Sequence, residues 1–412
     1  MSPRSPAPEE RGALLRQSRS LKMARSAHAY VRGNTVRFYE WLDAAAASAL
    51  PQGPAVWICG DCHVGNLGPV ANASGHVEIQ IRDFDQTVIG NPAHDLIRLG
   101  LSLAMAVRSS DLPGVTTAVM IEQMMMGYCA AFEPDPEESA GERRPSAVHV
   151  ALKAANERTW RHLADERLGG RSVRVPIGRR FWRITPQERD EIEAMCRTDA
   201  VLGLVTALSH RDDEAEVALL DAAYWKKGCS SLGKLRYAAV LDVGGRVTTG
   251  RDLCLIDIKE AVKAAAPRYK DADMPREYAQ RVVAGARHLS PHLGERMAAA
   301  RMLDRSVFVR ELLPEDLKLE IEHISAAEAR RTARYLAGVV GRAHARQLDA
   351  GTRTSWRSEL LRGRRKVLDA PSWLWSSVVE LVGNHEQGYL EHCRRHALDS
   401  ERDIDAIRQE AA

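Results

Sequence analysis

Two stretches constrain this fold more than any other part of the chain: Gly60-Asp61-Cys62-His63-Val64-Gly65-Asn66, and Asp83-Phe84-Asp85 after it. Val56-Trp57-Ile58 ahead of the first reads as a short buried strand. Val77-Glu78-Ile79-Gln80-Ile81 alternates apolar and polar residues as a second strand does, and Asn72-Ala73-Ser74-Gly75 supplies the turn before it. The stretch from Gly60 to Asn66 is too polar and too rich in glycine to be core, so it is a loop. Such a chain must build a short sheet that presents an aspartate, an asparagine and two further aspartates at one edge.

Phosphoryl transfer uses that set. One carboxylate orients or deprotonates the attacking hydroxyl, while an amide oxygen and a second carboxylate hold magnesium over the phosphates. In the kinase catalytic loop the asparagine follows the aspartate by five positions, as Asn66 follows Asp61. The loop is similar to that of aminoglycoside and choline kinases, and Asp83-Phe84-Asp85 resembles the magnesium-binding Asp-Phe-Gly with Asp85 replacing glycine. The resemblance implies Asp61 as the catalytic carboxylate, His63 shaping the loop, Asn66 and Asp83 as metal ligands, and Asp85 for a second ion. Asp95, after Gly90-Asn91-Pro92, resembles the aspartate that braces such a loop. Either motif alone reads as well as a surface turn; it is their order together that points to chemistry.

With 412 residues, 45% of them hydrophobic, the chain can build two or three domains' worth of core. Its 58 basic and 55 acidic residues leave a net charge of +3, which argues neither for nor against a polyanion; no nucleic-acid partner is expected. There is no apolar run of about eighteen residues to span a membrane, and no apolar segment in the first twenty positions to act as a secretory signal. A cytoplasmic location is expected. Seven cysteines are scattered, and Cys59 and Cys62 form a C-x-x-C without a second pair at zinc spacing, so free thiols are expected.

Residues 1–20 read as a disordered tail. Residues 22–47 read as helix interrupted at Gly33-Asn34, where Arg32-Gly33 either faces the site or makes a plain turn. After Asp95 the pattern is helical, with Met120, Met124, Met125 and Met126 as packing residues and a Pro/Glu/Ser-rich linker over 133–145. The basic run from Arg167 to Arg183 is either a loop facing an anion or a solvated linker. Thr185-Pro186-Gln187-Glu188 starts a helix, and helical pattern resumes to about Tyr224.

Gly228-Cys229-Ser230-Ser231-Leu232-Gly233-Lys234 matches a P-loop up to its lysine, but Leu235 stands where Ser or Thr should hold magnesium, and β-type residues follow instead of a helix. A glycine loop inside a β-hairpin is the kinase arrangement, whose backbone amides cover the nucleotide phosphates. Gly228, Ser230, Ser231 and Gly233 would line it, with Ser230 for the middle glycine. Lys259, ending the strand 253–260, resembles the kinase lysine that pairs with phosphates. Glu277 is its expected helix partner, and the strand from Val307 to Leu313 is the expected hinge, with Glu311 and Leu313 offering backbone groups to adenine. Ser325 and Glu328 open a long helix to about Gln347.

In a kinase the glycine loop and lysine precede the catalytic loop; here they follow it. The helix 326–347 would close the order if the chain were circularly permuted, cut before the catalytic strand. The pattern resembles a bacterial family known only as a domain of unknown function and grouped with protein-kinase-like phosphotransferases. The residues that carry it are Tyr30 to Gly33, Cys59 to Asn66, Arg82 to Asp85, Ile258 to Ala261, Val309 to Leu313 and Arg342 to Arg346. The expectation is an α+β, two-lobed, permuted kinase-like fold: a helical large lobe over 21–225, a β-rich nucleotide lobe over 226–315, and helices over 316–412 completing the large lobe. The expected activity is ATP- and magnesium-dependent transfer to a hydroxyl of a small molecule. The alternatives are a nucleotide-binding pseudokinase or nucleotidyl transferase on the same fold, and a metal-dependent phosphohydrolase using His63 with His94-Asp95.

Overall fold

The N-terminal stretch is helical where the sequence predicts disorder. In the computed structural model, which describes residues 5–46, 50–108, 115–133, 144–168, 173–229, 231–244, 253–317, 319, 325–362 and 370–410, α1 spans Pro8–Ala24. Its weak hydrophobicity hides a tertiary cause. Arg11 is buried against Glu188 at 2.5 Å, Leu15 is 2% exposed, and Lys22 Nζ donates to the Gly228 carbonyl at 2.9 Å. Its far side meets the last helix of the chain: Tyr389 Oη donates to Ala24 O at 3.1 Å, and His392 Nε2 to Ser20 O at 2.8 Å.

Helices α2 (Ala27–Gly33) and α3 (Thr35–Trp41) break where predicted, at Gly33-Asn34, and a π turn covers Leu42–Ala46. Strands β1 (Val56–Ile58), β2 (Leu67–Ala71), β3 (Val77–Ile81) and β4 (Val88–Gly90) form two antiparallel pairs, β1 with β4 and β2 with β3. Helices α4 (Ala93–Arg108), α5 (Val115–Ala130), α6 (Ser146–Glu157) and α7 (Trp160–Leu168) follow, and Met120, Met124 and Met125 are core. The predicted linker over 133–145 lies mostly outside the described residues.

The β-rich part begins earlier than predicted. Its elements are β5 (Phe181–Trp182), α8 (Pro186–Cys196), α9 (Asp199–Thr206), β6 (Val217–Trp225), β7 (Arg236–Val243), β8 (Leu253–Glu260), α10 (Tyr278–Leu289), α11 (Pro291–Gly294), β9 (Met297–Met302) and β10 (Arg305–Glu311). The six strands form one sheet in the order β5-β6-β7-β8-β10-β9. Residues 217–225, expected above as helix, are its second strand; a short apolar run is ambiguous between the two periods, and Asp221 sits at a register shift that hides the alternation.

One face of this sheet carries Tyr237, Ala239, Ile256 and Ile258 and is covered by α8, α9 and Leu15 of α1. The other carries Arg236, Ala238, Asp257 and Lys259 and turns towards the helical part. Helices α12 (Ala326–Ala345), α13 (Ala350–Leu360) and α14 (Ser372–Glu410) complete the chain. Helix α12 crosses α5 closely enough that a Cβ on Gly127 would lie 2.0 Å from the Arg334 carbonyl oxygen. Just past its end, Gln347 bonds both backbone groups of Trp57, at 2.8 and 3.1 Å, so it abuts β1 as expected. The chain is thus α+β, and among the described residues no helix is long and apolar enough to cross a membrane.

Candidate active site

Strand β1 delivers the chain into the loop, and a buried carboxylate holds the turn. Cys59 and Gly60 donate their N–H groups to Asp95 Oδ2 and Oδ1 at 2.7 and 2.9 Å, which is the bracing role predicted for Asp95. Gly60 has φ +73°, and a Cβ there would meet the Gln86 carbonyl at 2.2 Å, so only glycine fits. Tyr39 Oη closes the turn on the Gly60 carbonyl at 2.6 Å. Behind Asp95 runs a buried polar chain that the sequence does not announce: His344 Nε2 lies 3.3 Å from Asp95, Tyr128 Oη 2.8 Å from His344 Nδ1, and Trp356 Nε1 3.4 Å from Tyr128. A carboxylate only accepts and an indole N–H only donates, so His344 Nε2 donates to Asp95 and Trp356 Nε1 to Tyr128. Of these residues only His344 lies in a motif, the stretch from Arg342 to Arg346.

Asp61 is 8% exposed. Arg98 Nε donates to its Oδ1 and Thr35 Oγ1 to its Oδ2, each at 2.8 Å. Burial alone would raise its carboxyl; Arg98 and His63 beside it, with those hydrogen bonds, bring it below the ordinary carboxylate value. His63 is pushed down to about 3, by burial first and by Arg32 and Arg98, with Asp61 opposing. It is a neutral wall of the loop at pH 7. Asn66 donates its amide to the Asp61 carbonyl at 2.9 Å, which leaves its Oδ1 for a ligand.

Strand β3 ends at Asp83-Phe84-Asp85, with Phe84 in the core. Lys259 Nζ reaches both carboxylates, at 2.7 Å from Asp85 Oδ2 and 3.4 Å from Asp83 Oδ1. Burial raises the Asp83 carboxyl, but Lys259, Arg310 and Arg236 outweigh it and leave it lowered. Arg281 of α10, which no sequence motif marks, anchors this segment by donating to the carbonyls of Asp85, Thr87 and Val262.

Glu277 does not partner Lys259. It caps α10 instead, accepting from Gln280 N at 2.7 Å; the carboxylate that replaces glycine in the aspartate motif, Asp85, takes that place. The glycine loop joins β6 to β7, with positive φ at Gly228 (+86°) and Gly233 (+100°). Ser231 is buried between Lys227 O and Arg236 Nη1, and Ser230 lies outside the described residues. The hinge expectation fails. The Glu311 carboxylate pairs with Arg211 at 2.8 Å, its carbonyl accepts from Arg296, and the Leu313 N–H donates to Asp316. Those backbone groups are spent within the protein because Arg211, Arg296 and Asp316 crowd the strand end.

The His63/His94-Asp95 metal dyad is not assembled either. Both Asp95 oxygens are committed to backbone amides. Among the described residues no cluster of three or more His, Cys, Asp or Glu is placed to hold a metal. What remains is the mixed set of Asn66, Asp83 and Asp85, whose hard oxygen donors suit magnesium; both Asp85 carboxylate oxygens are buried, and Oδ2 pairs with Lys259 at 2.7 Å and with Lys234 at 3.7 Å. All seven cysteines are free thiols.

No curated protein and no solved structure matches the chain at a significant level. One family model does, over residues 11–395. With nearly the whole chain matched, this protein belongs to the DUF2252 family, described as uncharacterised proteins conserved in bacteria.

Proposed function

We propose that this protein transfers a phosphoryl group from a magnesium-bound nucleoside triphosphate, ATP in the first instance, to a hydroxyl of a small-molecule acceptor, on a two-lobed, circularly permuted kinase-like framework. One observation carries the reading: Lys259 and Asp83, 176 positions apart, meet at 3.4 Å, beside the loop that holds Asp61 and Asn66. Supporting it, a glycine hairpin, a lysine strand, a helix, a further strand and a long helix ending on β1 follow one another in the order a kinase uses from its small lobe to its catalytic strand.

When bound, magnesium held by Asn66 Oδ1, Asp83 and Asp85 would neutralise phosphate charge as the transferred group loosens. Lys259, parked on Asp83 and Asp85, is poised to move its ammonium onto phosphate oxygens. Asp61 is ionised, and Arg98 and Thr35 hold both its oxygens. A carboxylate so stabilised is a weak base but a firm acceptor for the incoming hydroxyl, and positioning is most of what this chemistry asks of the protein.

The test is direct. Magnesium with ATP should raise the melting temperature; ligand at a hundredfold its Kd adds about 2.7 kcal/mol. The γ-phosphate should move to acceptor or water, and Lys259→Ala should weaken nucleotide use without unfolding the chain. Absence of any shift with millimolar magnesium and ATP, ADP or GTP would sink the proposal. Label transfer from the α-phosphate would replace it with nucleotidyl transfer, and binding without turnover would leave a pseudokinase.

A further inference from the structure

The sheet face that presents Lys259 shows how a donor can lie on it. Along β8, Lys259, Asp257, Leu255 and Leu253 alternate onto that face, paired across β7 with Arg236, Ala238, Val240 and Asp242. The row beside Lys259 is ionic. Arg236 holds Asp257 at 2.5 Å, and Arg310 of β10 holds the same carboxylate at 3.2 Å. Arg310 also donates to the Arg82 carbonyl, while the Arg82 guanidinium is spent on the carbonyls of Asp316 and Leu317. The Lys227 amine lies 4.0 Å over the Trp225 ring. Burial first and Arg236 next hold that amine well below the usual lysine value. The row carries more positive charge than Asp257 neutralises, which is the signature of a place for an anion.

Beyond that row the face is closed by protein. Leu255, Val240 and Ala238 pack with Leu163 and Leu168 of α7. The strand end is closed too: Leu312 N donates to Leu255 O at 2.8 Å, and the Glu311 and Leu313 backbone groups are spent as described. A cavity of about 830 Å³ does open at Leu253, Trp160 and residues 311–315. It lies six residues along β8 from Lys259, roughly 20 Å in an extended strand, with the packed Leu255 row between them.

Resting on the phosphotransfer reading, we infer that this site holds its donor by the phosphates alone: the charges of Lys259, Arg236 and Arg310 attract the polyphosphate chain, and among the described residues neither sheet nor hinge reads the base. The donor class is any magnesium-complexed triphosphate, the inorganic chain included.

Thermal shift and competition binding on the full chain, with the magnesium complexes of ATP, GTP, CTP, UTP and tripolyphosphate, test this. Their affinities should agree within about threefold, and adenosine alone should give no shift. Arg310→Gln should weaken all five in proportion. Preference for ATP by about tenfold or more, or an Arg310→Gln loss seen with ATP and not with tripolyphosphate, overturns the inference while leaving phosphotransfer standing. Absence of binding by every one of the five removes both. Should Arg310→Gln fail to fold, the wild-type series decides by itself.

Discussion

At Asp61 the local chemistry fixes what substitution does. Arg98, 0% exposed, has this carboxylate as its anionic partner. Asp61→Asn therefore strands a buried guanidinium and, in the proposed reaction, leaves the acceptor hydroxyl without its carboxylate, so it should abolish transfer, keep the nucleotide-dependent shift, and cost about 3–5 kcal/mol in urea unfolding. Thr35→Val removes only the neutral donor and should cost about 1 kcal/mol. Equal losses for the two would contradict the assigned geometry. Asp61, Asn66, Asp83, Asp85 and Lys259 are legible in the sequence because their spacing and flanking strands carry the signal locally. Thr35, Arg98 and Arg281 are not: each takes its place at the candidate site through a partner that the chain brings near only by folding. Glu277 misleads because a glutamate at a helix start has a local use, the cap, that outcompetes a distant lysine.

Helices and strands follow the same division. The strands at 56–58 and 77–81 and the Thr185 capping box announce themselves through period and caps, and the box forms with bonds of 2.7 and 3.1 Å. Strand β6 and helix α1 do not: the register shift at Asp221 hides the alternation of β6, and the seats of α1 lie far along the chain. The crossing of α5 on α12 also depends on residues without side chains. Gly127→Ala would drive a methyl into the Arg334 carbonyl and should destabilise by about 1–3 kcal/mol. Because α5 and α12 bring Tyr128 and His344 to Asp95, the same change should reduce transfer as well. At Gly203 in α9 an added methyl would meet nothing within 4 Å, so Gly203→Ala should stabilise by about 0.5–1 kcal/mol through helix propensity. Comparing the two denaturation midpoints checks both.

Across the whole molecule, acid should act through histidines before carboxylates. His63 and His385 are pushed down to about 3 and His94 to about 4, burial being the largest cause for each. The unfolded chain binds protons at these groups below about pH 6.5, and the folded chain refuses them until near pH 4. Stability is therefore full above about pH 6.5 and falls as pH drops towards about 4, by at most about 1.4 kcal/mol per pH unit for each histidine. Urea midpoints at pH 7.5, 6 and 5 should decline in that order; a flat profile would show that these rings are solvated. The order of the chain bears on how the protein is made. Helix α1 is synthesised before any of its seats, which are formed by Glu188 and Gly228 on one side and by Tyr389 and His392 on the other. Vectorial synthesis thus leaves Leu15 uncovered until the β-rich part that packs on it has been made, and the seat on α14 open until the end of that helix follows, so the nascent α1 is a natural ligand for a chaperone.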